Sequence, residues 1–280
     1  MLKWVNIFKG FLMGICELIP GVSSGTMALL LGIYDQFLGA ISKIVSKHYR
    51  KAILFLLPLV VGMGIAILTL SNLIDYLLRN HMVPTHWFFI GLVIGVVPMM
   101  LRISNYRVEF RAGHYIILFI AVALLFVMGL NRGEEQVIND VAITFPLLVK
   151  LFFSGILAST TMLLPGISGS LVLLILGSYS IVIYAVSELT SFNLGILPIL
   201  IAVGSGIVLG LLVVSRIIQY MLRHFTYLTY ALILGLVIGS VFAIYPGLPD
   251  TALSWTVTVL CAILGFAISW YMGADNEGTI

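Results

Sequence analysis

Ten long apolar runs cover most of this chain, and the polar stretches between them are short. The runs lie at about 4–19, 26–41, 52–78, 87–101, 114–130, 145–164, 171–186, 195–222, 226–244 and 253–272. Only 9% of the residues are charged and 61% are hydrophobic, which excludes a water-soluble domain of this length. Because lipid offers no partner to backbone polar groups, apolar runs of this kind cross a bilayer as helices. We therefore predict an all-α polytopic membrane protein.

Two copies of one short motif interrupt these runs. Residues 20–25 read PGVSSG, residues 165–170 read PGISGS, and a Gly-x-Tyr sequence follows each copy at the same spacing. Proline ends the preceding helix, and glycine lets the chain turn and lets the backbone approach a ligand. A pair of broken hydrophobic segments in corresponding places indicates the binding site of a transporter. The expected structural breaks are Pro20, Gly21, Pro165 and Gly166.

The motif belongs to a longer internal repeat. Residues 75–79 (DYLLR) match 219–223 (QYMLR), and residues 91–95 (GLVIG) recur unchanged at 235–239, both 144 positions later. We predict two inverted-topology repeats in one membrane domain, residues 1–141 and 142–280. Each repeat is expected to hold a re-entrant helical hairpin, at about 4–41 and at about 145–186, and three transmembrane helices. A re-entrant hairpin returns to the side from which it entered, so each half crosses the membrane three times. With an odd number of crossings, the second half starts on the opposite side and is inverted relative to the first.

The placement of the positive charges gives the orientation. If the N-terminus is cytoplasmic, only Arg79, Arg132 and Lys150, of 14 lysines and arginines, lie on the opposite side. This bias follows the positive-inside rule and predicts that both termini are cytoplasmic. A hairpin that crosses the bilayer fully twice returns the chain to the same side as a re-entrant hairpin does, so the charges would be distributed in the same way. The charges therefore leave both a re-entrant and a spanning hairpin open.

The motifs themselves predict an anion site. Two half-helix N-termini that meet near the midplane would direct free N–H groups and positive dipole ends at a ligand. Serine and threonine hydroxyls would add donors, so a phosphate or carboxylate is the expected ligand class. The candidate binding residues are Ser23, Ser24, Gly25, Thr26, Ser168, Gly169, Ser170 and Arg216. The alternative is that the motif residues only kink a helix and cap its restart, and that Arg216 extends to the membrane interface.

A carboxylate precedes the first break. Glu17 lies three residues before Pro20, and the corresponding position in the second half is Met162, so the repeat itself does not require an acid there. An ionisable group within an apolar segment is costly and indicates a function by default. Our hypothesis is that Glu17 carries or gates a proton coupled to anion movement. The alternative is a neutral glutamate that bonds backbone groups freed by the break.

Other chemistries leave no pattern in the sequence. The five histidines and two cysteines have no metal-ligand spacing, and no nucleotide-binding fingerprint occurs. We expect no metal, no cofactor and no nucleic-acid partner, and transport driven by ATP hydrolysis in this chain alone is not expected.

Residues 14–26 (GICELIPGVSSGT), with GIYD at 32–35 and MLLPGISGS at 162–170, resemble the bacterial polyprenyl-phosphate transporter family, long catalogued as a domain of unknown function. The resemblance covers essentially the whole chain. It implies a non-enzymatic flippase that returns undecaprenyl phosphate from the outer to the inner leaflet of the bacterial cytoplasmic membrane after cell-wall glycan export. The implied partners are this polyprenyl-phosphate lipid, the membrane, and protons or another coupling ion.

Two alternatives to a lipid flippase remain open at this stage. Membrane undecaprenyl-pyrophosphate phosphatases are similar in outline, but they need a second glutamate beside the first and a histidine that closes the serine-rich motif. Here Glu17 is alone and Thr26 takes the place of that histidine. No base is therefore positioned to activate a hydroxyl as a nucleophile. The other alternative is an ion-coupled carrier of a small soluble anion.

Overall fold

The computed structural model describes residues 4–19, 22–130, 141–190 and 192–275. Pro20 and Gly21 of the first motif lie outside the described residues. The helices are α1 (Val5–Glu17), α2 (Ser24–Leu30), α3 (Tyr34–Lys43), α4 (Tyr49–Asn80), α5 (Met82–Ile103), α6 (Tyr106–Glu109), α7 (Ala112–Leu130), α8 (Phe145–Leu163), α9 (Gly169–Ile175), α10 (Tyr179–Thr190), α11 (Leu197–His224), α12 (Thr226–Ile244) and α13 (Ala252–Asp275). A 3₁₀ turn at Leu194–Ile196 precedes α11, and no strand occurs within these described ranges. The predicted all-α class is confirmed.

Among the described residues, seven helices are long and apolar enough to cross a membrane: α4, α5, α7, α8, α11, α12 and α13. Together, α9 and α10 would also be long enough, but they are bent by 110° at the break between them. A chain with this many apolar helices is a multi-pass membrane protein, as the composition predicts.

Each motif is followed by a second break that the run lengths do not predict. Residues 26–41 were expected to form one half-helix, and this expectation is wrong, because the segment divides into α2 and α3. Gly32 lies at that division with φ 64°, and Gly177 lies between α9 and α10 with φ 61°. Side chains other than glycine rarely adopt this left-handed backbone. The repeated Gly-x-Tyr sequence therefore marks a sharp turn of the chain.

The two predicted hairpins begin with arms of different length. Helix α1 has 13 residues and α8 has 19. At 1.5 Å per residue these lengths are roughly 20 Å and roughly 28 Å, against a hydrocarbon core of about 30 Å. Helix α8 can thus cross the bilayer alone, whereas α1 cannot. The re-entrant course of both hairpins stays a prediction.

The main helix pairs repeat between the halves. Helix α1 packs along α4 as α8 packs along α11, and α5 packs along α13 as α12 packs along α7. Glycines permit the close approach: a Cβ on Gly62 would overlap the Ile7 carbonyl oxygen, and one on Gly206 would overlap the Phe152 carbonyl oxygen. Small residues serve this purpose in lipid, where packing replaces the hydrophobic effect as the driving force. Helix α5 of the first half packs against α13 of the second half, and α7 packs against α12 in the same way. The two halves therefore interleave.

Candidate functional site

Two breaks in the helices meet inside the protein. We call the described residues between α1 and the first turn of α2 (18–19 and 22–26) the first elbow, and residues 164–168, between α8 and α9, the second elbow. A Cβ on Gly25 would lie 3.4 Å from the carbonyl oxygens of Met162 and Leu163, at the end of α8. The start of α2 therefore rests directly on the end of α8.

Hydroxyl groups of the first motif bond the backbone of the second elbow. The Ser23 hydroxyl donates to the Leu164 carbonyl oxygen at 3.3 Å, and the Gly166 N–H donates to the Thr26 hydroxyl at 3.0 Å. Both side chains are buried. A helix break leaves backbone groups without helical partners, and a buried one must find another. In this structure Ser23 and Thr26 join the two elbows.

A tyrosine that the sequence analysis did not single out completes this junction. The Tyr34 hydroxyl donates to the Leu163 carbonyl oxygen at 2.9 Å, and Tyr34 is 5% exposed. Because α8 ends at Leu163, this carbonyl has no partner further along the helix. The Gly-x-Tyr sequence after each motif was a signal for this residue, although the sequence contains no sign of its partner.

The N-terminus of α2 lies next to polar groups of the protein itself. Ser23 is its N-cap and accepts from the Gly25 N–H at 3.2 Å. The Glu17 carboxyl group lies close enough to Ser24, the first residue of α2, to interact with its N–H and its hydroxyl. A carboxylate is favoured at this end of a helix. In this state Ser23 therefore engages one of the N–H groups that were expected to face a ligand, and the anion site stays a prediction.

The second motif has a different arrangement. Ser168 is the N-cap of α9, but its hydroxyl pairs with the Ser170 hydroxyl at 2.7 Å and makes no capping bond. A Cβ on Gly169 would come within 2.9 Å of the Ala158 carbonyl oxygen, so α9 lies close against α8. Pro165 follows the end of α8, and the next residue, Gly166, has φ 92°. Only one of these two serine hydroxyls can donate within the pair, which leaves one O–H donor over, whereas the Ser23 hydroxyl already donates to Leu164.

Two cavities lie near the elbows. The smaller one, between the first elbow and α5, has a volume of about 20 Å³, room for one water molecule at most. A larger cavity of about 560 Å³ opens between α3, α4, α11 and α12, and Asp35 and Tyr230 form part of its wall. The structure therefore shows the elbows closed on each other, next to an open cavity.

Arg216 is not part of either elbow. Its side chain is exposed on α11, and within the described residues no contact joins it to the motifs. The arginine of α11 that lines the larger cavity is Arg223. Arg216, which was expected to reach the ligand, thus lies two helical turns before Arg223, which lines a cavity. Among the described residues no group of three or more histidine, cysteine or acidic side chains could hold a metal ion.

The hydrogen bond between Thr26 and Gly166 predicts a measurable contribution to stability. Thr26→Val keeps the shape of the side chain but leaves the buried Gly166 N–H without a partner, so we expect a loss of about 2 kcal/mol. Thr26→Ser keeps the hydroxyl and should recover most of that loss. Thermal unfolding of the two purified variants in one detergent tests this expectation. Equal melting temperatures for the two would show that the bond contributes nothing.

The sequence comparisons identify one family and two relatives of this chain. Residues 13–261 match the model of a family described as undecaprenyl phosphate translocase-like. A polyprenyl-phosphate transporter of Staphylococcus aureus is 47% identical over 98% of this chain and 99% of its own length. A polyprenyl-phosphate transporter of Vibrio cholerae is 34% identical over 89% of this chain and 79% of its own length. No solved structure matches the chain.

Both relatives are named as transporters, which agrees with the expectation that this chain is not an enzyme. The matched region contains both motifs, both elbows and Glu17. The extent of the match and the level of identity leave one assignment: the chain belongs to the undecaprenyl phosphate translocase-like family.

Proposed function

We propose that this chain moves a polyprenyl phosphate between the leaflets of a membrane, with the phosphate passing between the two elbows. The observation that carries the proposal is the direct contact of the elbows through Ser23 and Thr26, together with the Tyr34 hydroxyl bonded to the end of α8, inside a bundle of membrane-length helices. The printed names of the two relatives support the choice of substrate. The prenyl tail would stay in lipid while the headgroup crosses.

In this proposal the junction between the elbows has a closed and an open state, as the passage of a headgroup requires. The hydroxyls of Ser23 and Thr26 bond the second elbow when the elbows touch, and they become free when the elbows separate. A phosphate that enters would replace neutral hydrogen bonds by charge-assisted ones, which are roughly twice as strong. Ser168 and Ser170, with Gly25 and Gly169 permitting close backbone approach, would complete the set of donors. The ligand thereby offsets the cost of opening the junction.

Glu17 would regulate this exchange. Its carboxyl group lies beside the N–H and the hydroxyl of Ser24, two donors that a phosphate would need. A carboxylate and a phosphate repel each other at this distance, so the phosphate can bind there only when Glu17 is protonated or moves away. Loss of that proton after transfer would expel the phosphate. Proton movement and lipid movement are coupled by this competition for one set of donors.

The repeat supplies the two-sided access that a carrier needs. We propose that residues 1–141 and 142–280 are inverted repeats and that their hairpins open alternately to the two sides. With positive charges inside, the ends of α3 and α11 and the start of α4 face the cytoplasm. Recycling of undecaprenyl phosphate to the inner leaflet of a bacterial cytoplasmic membrane, for cell-wall glycan synthesis, is the direction we propose.

Purified protein in proteoliposomes with undecaprenyl phosphate tests the proposal. A membrane-impermeant reagent that modifies phosphate headgroups measures which leaflet holds the lipid, with and without a pH gradient. We expect the protein to accelerate exchange between leaflets and a pH gradient to bias it. Protein-free liposomes and liposomes with an unrelated helical membrane protein are the controls.

Two results of the same preparation would overturn this assignment. Release of inorganic phosphate from undecaprenyl pyrophosphate would identify an enzyme instead. Movement of water-soluble anions with no effect on the lipid would identify a small-anion carrier.

A further inference from the structure

The larger cavity beside the elbows is lined by an excess of cations. It lies along one face of α3, and its charged walls come from three helices: Asp35 and Lys43 of α3, Lys51 of α4 and Arg223 of α11. Three cations and one carboxylate leave a net charge of +2. A phosphate monoester carries a charge of about −1.5 to −2 at neutral pH. The cavity therefore matches such a group in charge, and its volume of about 560 Å³ exceeds what the group needs.

The cations of this cavity are not neutralised by ion pairs. Asp35 interacts electrostatically with Arg223, but within the described residues none of Lys43, Lys51 and Arg223 forms an ion pair. The side chain one helical turn before Arg223 is Gln219, a neutral amide that donates to the Ser42 hydroxyl at 3.0 Å. That bond attaches α11 to α3 and leaves the guanidinium group available.

The corresponding arginine in the first half does form an ion pair. Arg79 lies 144 positions before Arg223, and Asp75 lies 144 positions before Gln219. Arg79 donates to Asp75 at 2.8 Å, so its charge is compensated within one turn of helix. Lys43 likewise has Glu188 at its corresponding position, 145 residues later. Of these two corresponding arginines, the one without an ion pair among the described residues is therefore Arg223, on the side of the cavity.

The cavity ends next to the elbow junction. Asp35 and Tyr230 belong to its wall, and Asp35 directly follows Tyr34 in the chain. The Tyr34 hydroxyl in turn holds the Leu163 carbonyl oxygen of the second half. The start of α3 therefore belongs both to the wall of the cavity and to the elbow junction.

One wall of the cavity is apolar and continues to the lipid-facing surface. Phe55 and Leu222 line the cavity, and the neighbouring Ile53, Leu54 and Leu57 of α4 are exposed on a helix of membrane length. An isoprenoid tail can lie on such a surface while its headgroup stays among the cations. A free phosphate ion would make no use of it.

We infer that this cavity is a second binding site for a lipid phosphate monoester, in which Lys43, Lys51 and Arg223 hold the headgroup on its way to or from the elbows. The inference rests on the proposed function for the identity of the lipid. By the positive-inside rule the site faces the cytoplasm. It receives the headgroup on one side only, because the corresponding arginine on the other side is paired.

Calorimetric titration of the full-length protein in detergent with farnesyl phosphate tests the site. Exposed charge pairs contribute up to about 1 kcal/mol, so Lys43→Gln, Lys51→Gln and Arg223→Gln should each weaken binding about fivefold. The triple variant should lose more binding than any single variant, up to about a hundredfold, the value that full additivity of the three effects would give. Arg79→Gln is the matched control and should stay within about twofold of the wild type. Equal melting temperatures will show that these exposed side chains are not needed for folding.

The probes distinguish the source of the phosphate group. Inorganic phosphate should bind much more weakly than farnesyl phosphate, and farnesol and phosphatidylglycerol should not compete. Equal affinity for inorganic phosphate would overturn a lipid site in favour of a free-anion site. Unchanged farnesyl phosphate binding by the triple variant would also overturn the inference.

Leaflet exchange by the same proteins separates this inference from the proposed function. If the triple variant binds farnesyl phosphate and translocates undecaprenyl phosphate as the wild type does, the cavity is not a binding site, whereas the proposed translocation is supported. If the triple variant loses binding but the wild type moves no lipid in proteoliposomes, the site stands and the proposed translocation fails.

Discussion

Glu17→Gln should slow leaflet exchange of undecaprenyl phosphate about tenfold or more and make the remaining rate independent of pH. A glutamine is neutral at every pH, so the phosphate would meet no repulsion on entry and no returning carboxylate to expel it. A hydrogen bond from Ser24 to an ionised Glu17 would contribute about 1.5–3 kcal/mol, and 1.36 kcal/mol corresponds to a factor of ten in rate. We therefore expect tighter binding of the lipid together with slower turnover.

The measurement is exchange in proteoliposomes at several values of external and internal pH, with binding of farnesyl phosphate measured in parallel. Asp250→Asn is the matched control, because it removes one carboxylate from an exposed position in a loop. A glutamine variant with the full rate and the pH response of the wild type would remove Glu17 from the mechanism. A lower melting temperature together with unchanged binding would reduce its role to capping α2.

Gly62→Ala should destabilise the protein by about 3 kcal/mol, whereas Gly64→Ala in the same helix should cost nothing. A methyl group on Gly62 would overlap the backbone of α1, which cannot yield as a flexible side chain does, but one on Gly64 would meet no atom within 4 Å. Overpacking of this kind typically costs 1–3 kcal/mol. The second half offers the same comparison, with Gly206 against α8 and Gly204 facing open space.

Heating of the four purified variants, followed by size-exclusion chromatography of the surviving folded protein, tests this expectation. Gly62→Ala and Gly206→Ala should lose their folded peak roughly 10 °C below the wild type. Gly64→Ala and Gly204→Ala should match or slightly exceed it, because alanine favours a helix more than glycine does. Identical midpoints within either pair would mean that the close helix contact is not maintained in detergent.

The sequence predicted the class of the protein and the position of its main breaks, because both are local properties. Apolar runs longer than a bilayer half-thickness require helices, and proline and glycine interrupt a helix wherever they stand. The second breaks at Gly32 and Gly177 were visible as a repeated Gly-x-Tyr sequence, but run length alone concealed them. A left-handed glycine in an apolar run has no hydropathy signal.

The roles of the site residues could be predicted only in part. Serine and threonine after a break were assigned as ligand donors, yet Ser23 and Thr26 bond the opposite elbow in this structure. Their partners are backbone groups about 140 residues away, and backbone groups leave no trace in residue identity. Arg216 was selected for its position in an apolar run, although Arg223 is the arginine that lines a cavity.

By itself the sequence determined a helical membrane protein with two related broken segments and an intramembrane acid, since hydropathy, helix breaking and charge act along the chain. Only the tertiary structure decided that the two breaks bond each other, that Tyr34 bonds a freed carbonyl group while Glu17 lies beside the start of α2, and that a cationic cavity opens on one side. These features depend on which helices pack together. That choice is made by close glycine contacts between distant segments, which no local pattern encodes.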